Sequence, residues 1–318
     1  MRYNEDTSSN EMCDALGQQS KQESAAVRQM SKQESATVRQ FGDEILYFEQ
    51  LDSTSTYAKQ LADKGAQDKT VVLARMQTAG RGRFGRRWES QADKTLTFSV
   101  ILRPNLSTAA ASMLPLVFSL SIAESIQPLT DSLVQIKWPN DILLNRRKVC
   151  GILLELITHE NQMQYIIVGI GINLRKWDTD MELGAKMTSL EEHHIDIDDL
   201  QNDLMQRQIL ADSHSSTESS TSLPPLSFLR SILHNIEKNY TQFLSNATQG
   251  LGKLKDAYER FLINLDCYVR IIDAKDTYTG IARGINMQGE LLVEDEEGNL
   301  HNVYAGEVSV RGIDGYVS

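Results

Sequence analysis

The stretch LVQIKWPNDILLNRRKVCGILLELITHENQMQYIIVGIGINL, Leu133 to Leu174, decides the fold class. Runs rich in Ile, Val and Leu at 133–138, 148–157 and 164–174 are divided by polar turns at Pro139-Asn140-Asp141 and His159-Glu160-Asn161. Short apolar runs with such breaks predict strands in close succession. Upstream, TVVLAR (70–75) and LTFSVIL (96–102) read the same way, the second alternating Leu96, Phe98, Val100 and Leu102 with Thr97, Ser99 and Ile101. Residues 113–127 suit a largely buried helix. From Phe228 to Leu244, apolar residues recur at helical steps (Leu229, Ile232, Leu233, Ile236, Tyr240, Phe243, Leu244), and a shorter helix, LKDAYERFLINL, follows. A sheet covered by helices, an α+β arrangement, is the expected outcome.

Near Asp266 the period changes. The last fifty or so residues alternate and break at Gly280, Gly284, Gly289, Gly298 and Gly306, which predicts about five short strands in a small antiparallel barrel or sandwich. The expected divisions are an arm at 1–40, a main domain at 41–265 and a small β domain at 266–318. The arm is polar, holds a repeat (SKQESAAVRQ at Ser20–Gln29, SKQESATVRQ at Ser31–Gln40) and has too few large aliphatics to bury a core. A Ser/Thr-rich insert at 211–225 reads as a surface loop or a disordered stretch.

With 32 Lys+Arg against 43 Asp+Glu, the formal net charge is −11, which disfavours a protein that coats nucleic acid or anionic membrane. No run approaches the roughly 18 consecutive apolar residues of a membrane span; LPLVFSLSIA at 114–123 is interrupted by serines. The N-terminus lacks the apolar segment of a signal peptide. Cys13, Cys150 and Cys267 are odd in number and form no CxxC, so a reduced, cytoplasmic protein without a disulfide framework or a zinc cluster is expected.

Chemistry concentrates in GRGRFGRRW, Gly80 to Trp88, where Arg81, Arg83, Arg86 and Arg87 alternate with Gly80, Gly82 and Gly85. Glycines let the backbone approach a ligand and arginines offer paired donors to phosphate or carboxylate, so the segment reads as an anion clamp. A second cluster, KWPNDILLNRRKVCG (Lys137–Gly151), sets Asn140 and Asp141 in a turn and Lys148 at the head of a strand. A lysine beside an apolar strand is by itself usually a snorkelling surface residue. In LDSTSTYAK, Leu51 to Lys59, one of the hydroxyls should cap the helix that follows. GIGIN (Gly169–Asn173) lacks the third glycine of a dinucleotide fingerprint. His193 and His194 do not share a helix face and have no further ligand pattern beside them, so an exposed loop is expected there.

Taken in order, DST, Q-x-A-G-R-G-R-x-G-R-x-W (Gln77–Trp88), KWPND with its downstream K-x-x-G, GIGIN, T-S-L (Thr188–Leu190) and a small β domain ending A-G-E-V-S-V-R resemble the biotin protein ligases, from about Phe48 to Arg311. The resemblance implies a class II aminoacyl-tRNA-synthetase-like mixed sheet followed by an SH3-like barrel. It implies formation of biotinyl-5′-AMP from biotin and ATP with Mg²⁺, then transfer to a lysine of a biotin carboxyl carrier domain. It places Ser53, Thr54, Ser55 and Gln77 at the ureido ring, the backbone of Gly80, Arg81, Gly82 and Arg83 with Lys148 at the carboxylate and α-phosphate, and Gly151 beside the ligand. Arg81, Arg83 and Arg86 would face the phosphates, and Trp88 and Asn173 would border the nucleotide. Lys148 and Arg83 would serve catalysis, with Asp141 orienting or deprotonating the acceptor amine, a role weighed against a turn-capping aspartate. Many relatives read STN where this chain has Ser53-Thr54-Ser55, and the arm is too short and polar for a helix-turn-helix, so no DNA binding is expected. The rival readings are a lipoate or octanoate ligase and a non-catalytic biotin sensor. An open strand edge could meet a carrier domain or a second subunit, which leaves a homodimer open.

Overall fold

Apolar strands too long to sit at a surface form the middle of one sheet. The computed structural model describes residues 39–160, 162–177, 186–201, 225–272, 277–305 and 309–312; the arm repeat and nearly all of the Ser-rich insert lie outside the described residues. β1 (Ile45–Leu51), β2 (Val71–Gln77), β3 (Thr95–Leu102), β4 (Val134–Lys137), β5 (Asp141–Leu144), β6 (Arg147–His159) and β7 (Gln162–Asn173) make a seven-stranded sheet in the order β1-β2-β3-β7-β6-β5-β4. β1 and β2 run parallel and the other neighbours antiparallel, so the sheet is mixed. The parallel pair requires a crossover, supplied by helix α1 (Thr54–Asp63).

Two strands go beyond the sequence reading. β1 is half-buried at the sheet edge and weakly patterned. β5 starts at Asp141, directly after the turn, and returns to β6 through Asn145 and Arg146, both at positive φ (47° and 69°) as a tight hairpin turn demands. The segment read as one polar turn therefore reverses the chain twice.

All eight residues of β3 are buried, so both faces of the sheet are covered. Leu96, Phe98, Val100 and Leu102 join the main core with helices α2 (Leu114–Ile126) and α3 (Leu226–Leu244). Two of the three serines of α2, Ser121 and Ser125, fit this packing by donating to the carbonyls of Val117 and Ser121, one turn back, whereas Ser119 Oγ is buried without a hydrogen-bond partner. The helical stretch Thr108–Leu129 is long and apolar enough by composition to cross a membrane, although no run of consecutive apolar residues is, and 83% of its most apolar 18 residues are buried inside the fold. The odd positions of β3, Thr97 and Ser99, face the other side, where α1 packs.

β8 (Tyr268–Ile272), β9 (Thr277–Ile285), β10 (Leu291–Glu294), β11 (Leu300–Val303) and β12 (Ser309–Gly312) form the expected five-stranded antiparallel sheet, order β11-β10-β9-β8-β12. It belongs to the same compact unit as the main sheet. The buried Trp138 indole donates to Gly289 O at 3.0 Å, and Glu259, at the end of helix α4 (Leu254–Glu259), accepts from Ile285 N at 2.9 Å. The turn after β4 is thereby fixed against the small domain.

Candidate functional site

Register builds the floor of the site. Across the sheet, Thr97 pairs with Gly171, Gly171 with Gly151 and Gly151 with Asp141; one step along, Ser99 pairs with Gly169 and Gly169 with Leu153. Cross-strand partners point to the same face. Three glycines thus leave a trough on an otherwise side-chain-covered sheet, and a cavity of about 410 Å³ lies over it.

The trough is occupied from above. A Cβ on Gly171 would come within 2.3 Å of the Trp88 ring, and one on Gly151 within 3.1 Å of the same ring and 3.0 Å of Lys148 Nζ. The indole rests on bare backbone. A Cβ on Gly169 would meet Ser55 Oγ at 2.5 Å. GIGI within β7 therefore marks a surface cleared of side chains at alternate positions; the sequence reading rejected a dinucleotide loop there and kept GIGIN as a motif, without giving Gly169 or Gly171 a role.

One end of the cavity is polar and neutral. Ser53 caps α1 by accepting from Thr56 N, which leaves Thr54 and Ser55 buried in the first turn. Gln77 Oε1 accepts from Thr54 N at 2.7 Å and from Thr54 Oγ1 at 3.1 Å. Ser99 Oγ, absent from the sequence reading, lies 2.8 Å from Thr54 Oγ1 and 3.0 Å from Ser55 Oγ. Hydroxyls and an amide held this way offer donors and acceptors to a compact uncharged polar group.

The other end is cationic. Lys148 Nζ donates to Asp141 Oδ1 at 2.8 Å and sits 5.7 Å from the centre of the Trp88 ring. Asp141 is therefore an ion-pair partner in this state, not a turn cap. Arg83 donates through Nη1 to Asn140 Oδ1 (2.8 Å) and through Nη2 to Ala305 O of the small domain (2.6 Å). Burial lowers the Arg83 pKa from the ordinary arginine value; the Asp141 charge opposes the shift and the Arg86 charge adds to it. A partly desolvated guanidinium that lines the cavity can also donate to an anion there. Arg86 and Lys137 also line the cavity, the latter unremarked in the sequence. Arg81 lies 3.5 Å from Glu155 Oε1, which also accepts from Lys59 Nζ at 2.6 Å, and Arg87 turns back to Thr78 O at 2.9 Å.

The Gly/Arg segment is itself a small hairpin. Arg81 bridges Arg87 antiparallel, Trp88 N donates to Gly80 O at 2.9 Å and Gly82 N to Arg86 O at 2.8 Å. Gly80 has no room for a side chain, since a Cβ would meet Trp88 O at 2.4 Å. The hairpin forms one wall of the cavity.

Asn173 does not reach the main cavity. It lines a smaller one with Arg175, Trp177, Met187, Thr188 and Glu192, while Met187 borders both. Asn173 Nδ2 donates to Thr188 O at 2.9 Å and Thr188 N donates to Lys148 O at 2.8 Å, so the T-S-L segment joins the end of β7 to the start of β6. Among the described residues, Asn173 Oδ1 and Trp177 Nε1 are buried with no hydrogen-bond partner. His193 corrects the exposed-loop expectation. It is 6% exposed, with Nδ1 2.8 Å from Ser132 Oγ and Nε2 3.0 Å from Thr188 Oγ1, whereas His194 is exposed. No group of His, Cys, Asp or Glu suited to hold a metal occurs among the described residues.

A glycine trough with a neutral hydrogen-bonding end and a cationic end suits a ligand with a polar head, an apolar middle and an anionic tail. Comparisons with known proteins agree. The model of the Biotin/lipoate A/B protein ligase family matches residues 47–173, and that of the Biotin protein ligase C terminal domain matches residues 268–311. The bifunctional ligase/repressor BirA of Bacillus subtilis is 30% identical over 271 residues, 85% of this chain and 74% of the relative. The biotin--[acetyl-CoA-carboxylase] ligase of Paracoccus denitrificans is 42% identical over 125 residues, 39% of this chain and 51% of the relative. Among solved structures, the biotin protein ligase from Aquifex aeolicus in complex with biotin and ATP superposes with a TM-score of 0.65 at 27% identity, covering 85% of this chain and 99% of that one.

Proposed function

The chain belongs to the biotin protein ligase family, and on that premise we propose how its cavity joins biotin to ATP and then passes biotin to a carrier lysine. It is an ATP-dependent biotin ligase whose acceptor is the biotin carrier of a carboxylase. The observation that carries the site assignment is the single trough joining the Thr54–Gln77–Ser99 end to the Lys148–Arg83 end. The ureido ring of biotin, a neutral group with paired donors and an acceptor, fits the first end, with Ser53, Thr54, Ser55 and Gln77 around it. The valerate chain runs through the cavity alongside the Trp88 ring, and its carboxylate meets Lys148 and the hairpin backbone at Gly80 to Arg83.

In the first step a carboxylate oxygen attacks the α-phosphorus and pyrophosphate leaves. The carboxyl group is ionised near pH 7 and needs no base; the barrier is repulsion between two anions. Lys148, Arg83, Arg81 and Arg86, all lining the cavity, supply the cations that offset it. Mg²⁺ would enter on the triphosphate oxygens, as it does when few carboxylates are available. We place the adenine in the smaller cavity, where its amine and ring nitrogens would satisfy Asn173 Oδ1 and Trp177 Nε1. In the second step the carrier amine attacks the acyl carbon, AMP leaves, and the ammonium proton passes to Asp141 once Lys148 has turned to the ligand.

The mixed sheet supports a class II aminoacyl-tRNA-synthetase-like main domain at 41–265, and the five antiparallel strands support an SH3-like domain from 266. The thiol of Cys150, buried in the main core, suits a reducing cytoplasm. The repressor role named for the Bacillus relative is not carried over, since a net charge of −11 disfavours DNA binding.

The test is ATP–pyrophosphate exchange by purified protein with biotin, with lipoate or with neither, beside Lys148→Ala. Exchange that requires biotin and is lost in the variant is expected. Exchange driven by lipoate would overturn the substrate assignment, and tight biotin binding without exchange would indicate a sensor.

A further inference from the structure

The outermost residue of the Gly/Arg hairpin is Phe84, and its backbone is unusual. Phe84 adopts φ 58° and ψ 34°, Gly85 follows at φ 71°, and Arg86 N donates to Arg83 O at 3.2 Å. These are the two central positions of a mirror-image turn, where Asn or Gly is the usual choice because both residues need positive φ. An aromatic residue there holds strain that its neighbours must sustain, and such strain concentrates at functional positions. The ring also does not compensate by burial, being 52% exposed. Of the large hydrophobic side chains exposed among the described residues, Phe84 alone borders the main cavity.

One side of the ring is taken: the Arg83 guanidinium lies 4.9 Å from its centroid. Arg83 is in turn held by Asn140 Oδ1 and Ala305 O, so the ring cannot fold into the cavity while those bonds stand. About half of Phe84 stays exposed beside the cavity that it lines. An acceptor lysine reaches the adenylate only by the length of its own side chain, so the protein that bears the lysine must come against this rim.

We propose that Phe84 is a contact and selectivity residue for the second step, its ring packing on the surface of the carrier domain beside the acceptor lysine. The proposal rests on the ligase reading of the cavity. It explains why an exposed aromatic is kept where glycine or asparagine would be easier: the turn loses ease and gains an apolar anchor at the point where a partner must dock.

The test uses the full chain with Phe84→Gly and Phe84→Asn, both of which suit positive φ and so preserve or ease the turn. Three rates are read: biotin-dependent ATP–pyrophosphate exchange, biotinylation of a purified carrier domain, and discharge of the adenylate to hydroxylamine, a small nucleophile that needs no docking. Exchange and discharge to hydroxylamine within about twofold of the parent are expected in both variants, with kcat/KM for the carrier reduced about tenfold, mainly through KM, the scale of losing one aromatic anchor. Unchanged carrier kinetics in both variants would overturn the proposal, as would a parallel loss of all three rates, which would make Phe84 part of the chemistry or the turn. Absence of biotin-dependent exchange in the parent protein would instead refute the ligase reading itself.

Discussion

Gly171→Ala isolates the role of the trough. The added methyl would lie 2.3 Å from Trp88 Cε2 and 2.5 Å from Cζ2 and Nε1, well inside the 3.4 Å at which ordinary contact begins. β7 is a central strand, paired to β3 and β6 along its length, so the indole gives way before the backbone does. A shift of the ring into the cavity that it lines takes up the space assigned to the valerate chain. Overpacking of this kind costs about 1–3 kcal/mol. Because Trp88 sits on the hairpin and not in the main core, most of that cost should fall on ligand binding and little on folding. Biotin affinity, measured by titration calorimetry, should fall about tenfold to about a hundredfold, at 1.4 kcal/mol per factor of ten. The thermal midpoint should move little. Adding Trp88→Ala removes the clash, so the double variant should bind biotin no worse than Trp88→Ala alone, a clear departure from additivity. A folded Gly171→Ala protein with biotin affinity within about threefold of the parent would refute the placement of biotin against Trp88, because the methyl could then be absorbed without touching the ligand.

Lys148→Ala removes the cation that faces both Asp141 and the carboxylate end of the trough, and exchange should drop by about a hundredfold or more, the scale of losing one preorganised stabilising group; a drop under about fivefold would relegate Lys148 to a surface ion pair. Arg83→Gly cuts the hairpin from both Asn140 and the small domain, so biotinyl-5′-AMP should form but escape early, seen as a shorter half-life of enzyme-bound intermediate and more labelling of bystander lysines; unchanged retention would contradict the latch. His193 has its pKa lowered by burial first and then by the Arg147 and His194 charges, with Glu192 opposing. The unfolded chain therefore takes up the proton first as pH falls through about 6.5, and stability should decline there until the folded-state pKa is passed. Urea midpoints at about pH 8 and about pH 5.5 should show a larger acid loss for the parent than for His193→Gln, and parallel losses would rule out a buried neutral histidine.

The sheet was legible where strands are long and apolar, because burial on two faces leaves near-continuous Ile and Val, as in β7 from Tyr165 to Asn173. β5 was not, since four residues between two tight turns give a pattern too short to show a period, and the charged LNRRK that follows masks it. β1 escaped for another reason: an edge strand with one half-exposed face carries Glu49 and Gln50 where a core strand would carry aliphatics. His193 misled because sequence proximity to His194 says nothing about direction; the first closes a short turn inward and the second, at φ 61°, leaves it outward.

The site divides along a physical line. Charge and glycine are conspicuous in sequence, so the Gly/Arg hairpin and Lys148 could be named before any coordinates, although not that Arg81 would lean on Glu155 or that Arg83 would clasp Ala305, contacts made between residues far apart in the chain. Ser99 shows the opposite case. In an alternating strand, Thr97 and Ser99 look like a solvent-facing side, and alternation has no means of distinguishing water from a ligand cavity; only the covering helix α1 decides that the polar side of β3 is enclosed. The same argument applies to Gly169 and Gly171, whose importance lies in the side chains they lack and in the indole that lies in their place. A strand with polar residues on one side, next to a strand with glycines on the matching side, is the pattern that marks the candidate site here, and it becomes visible once the register between β3 and β7 is known.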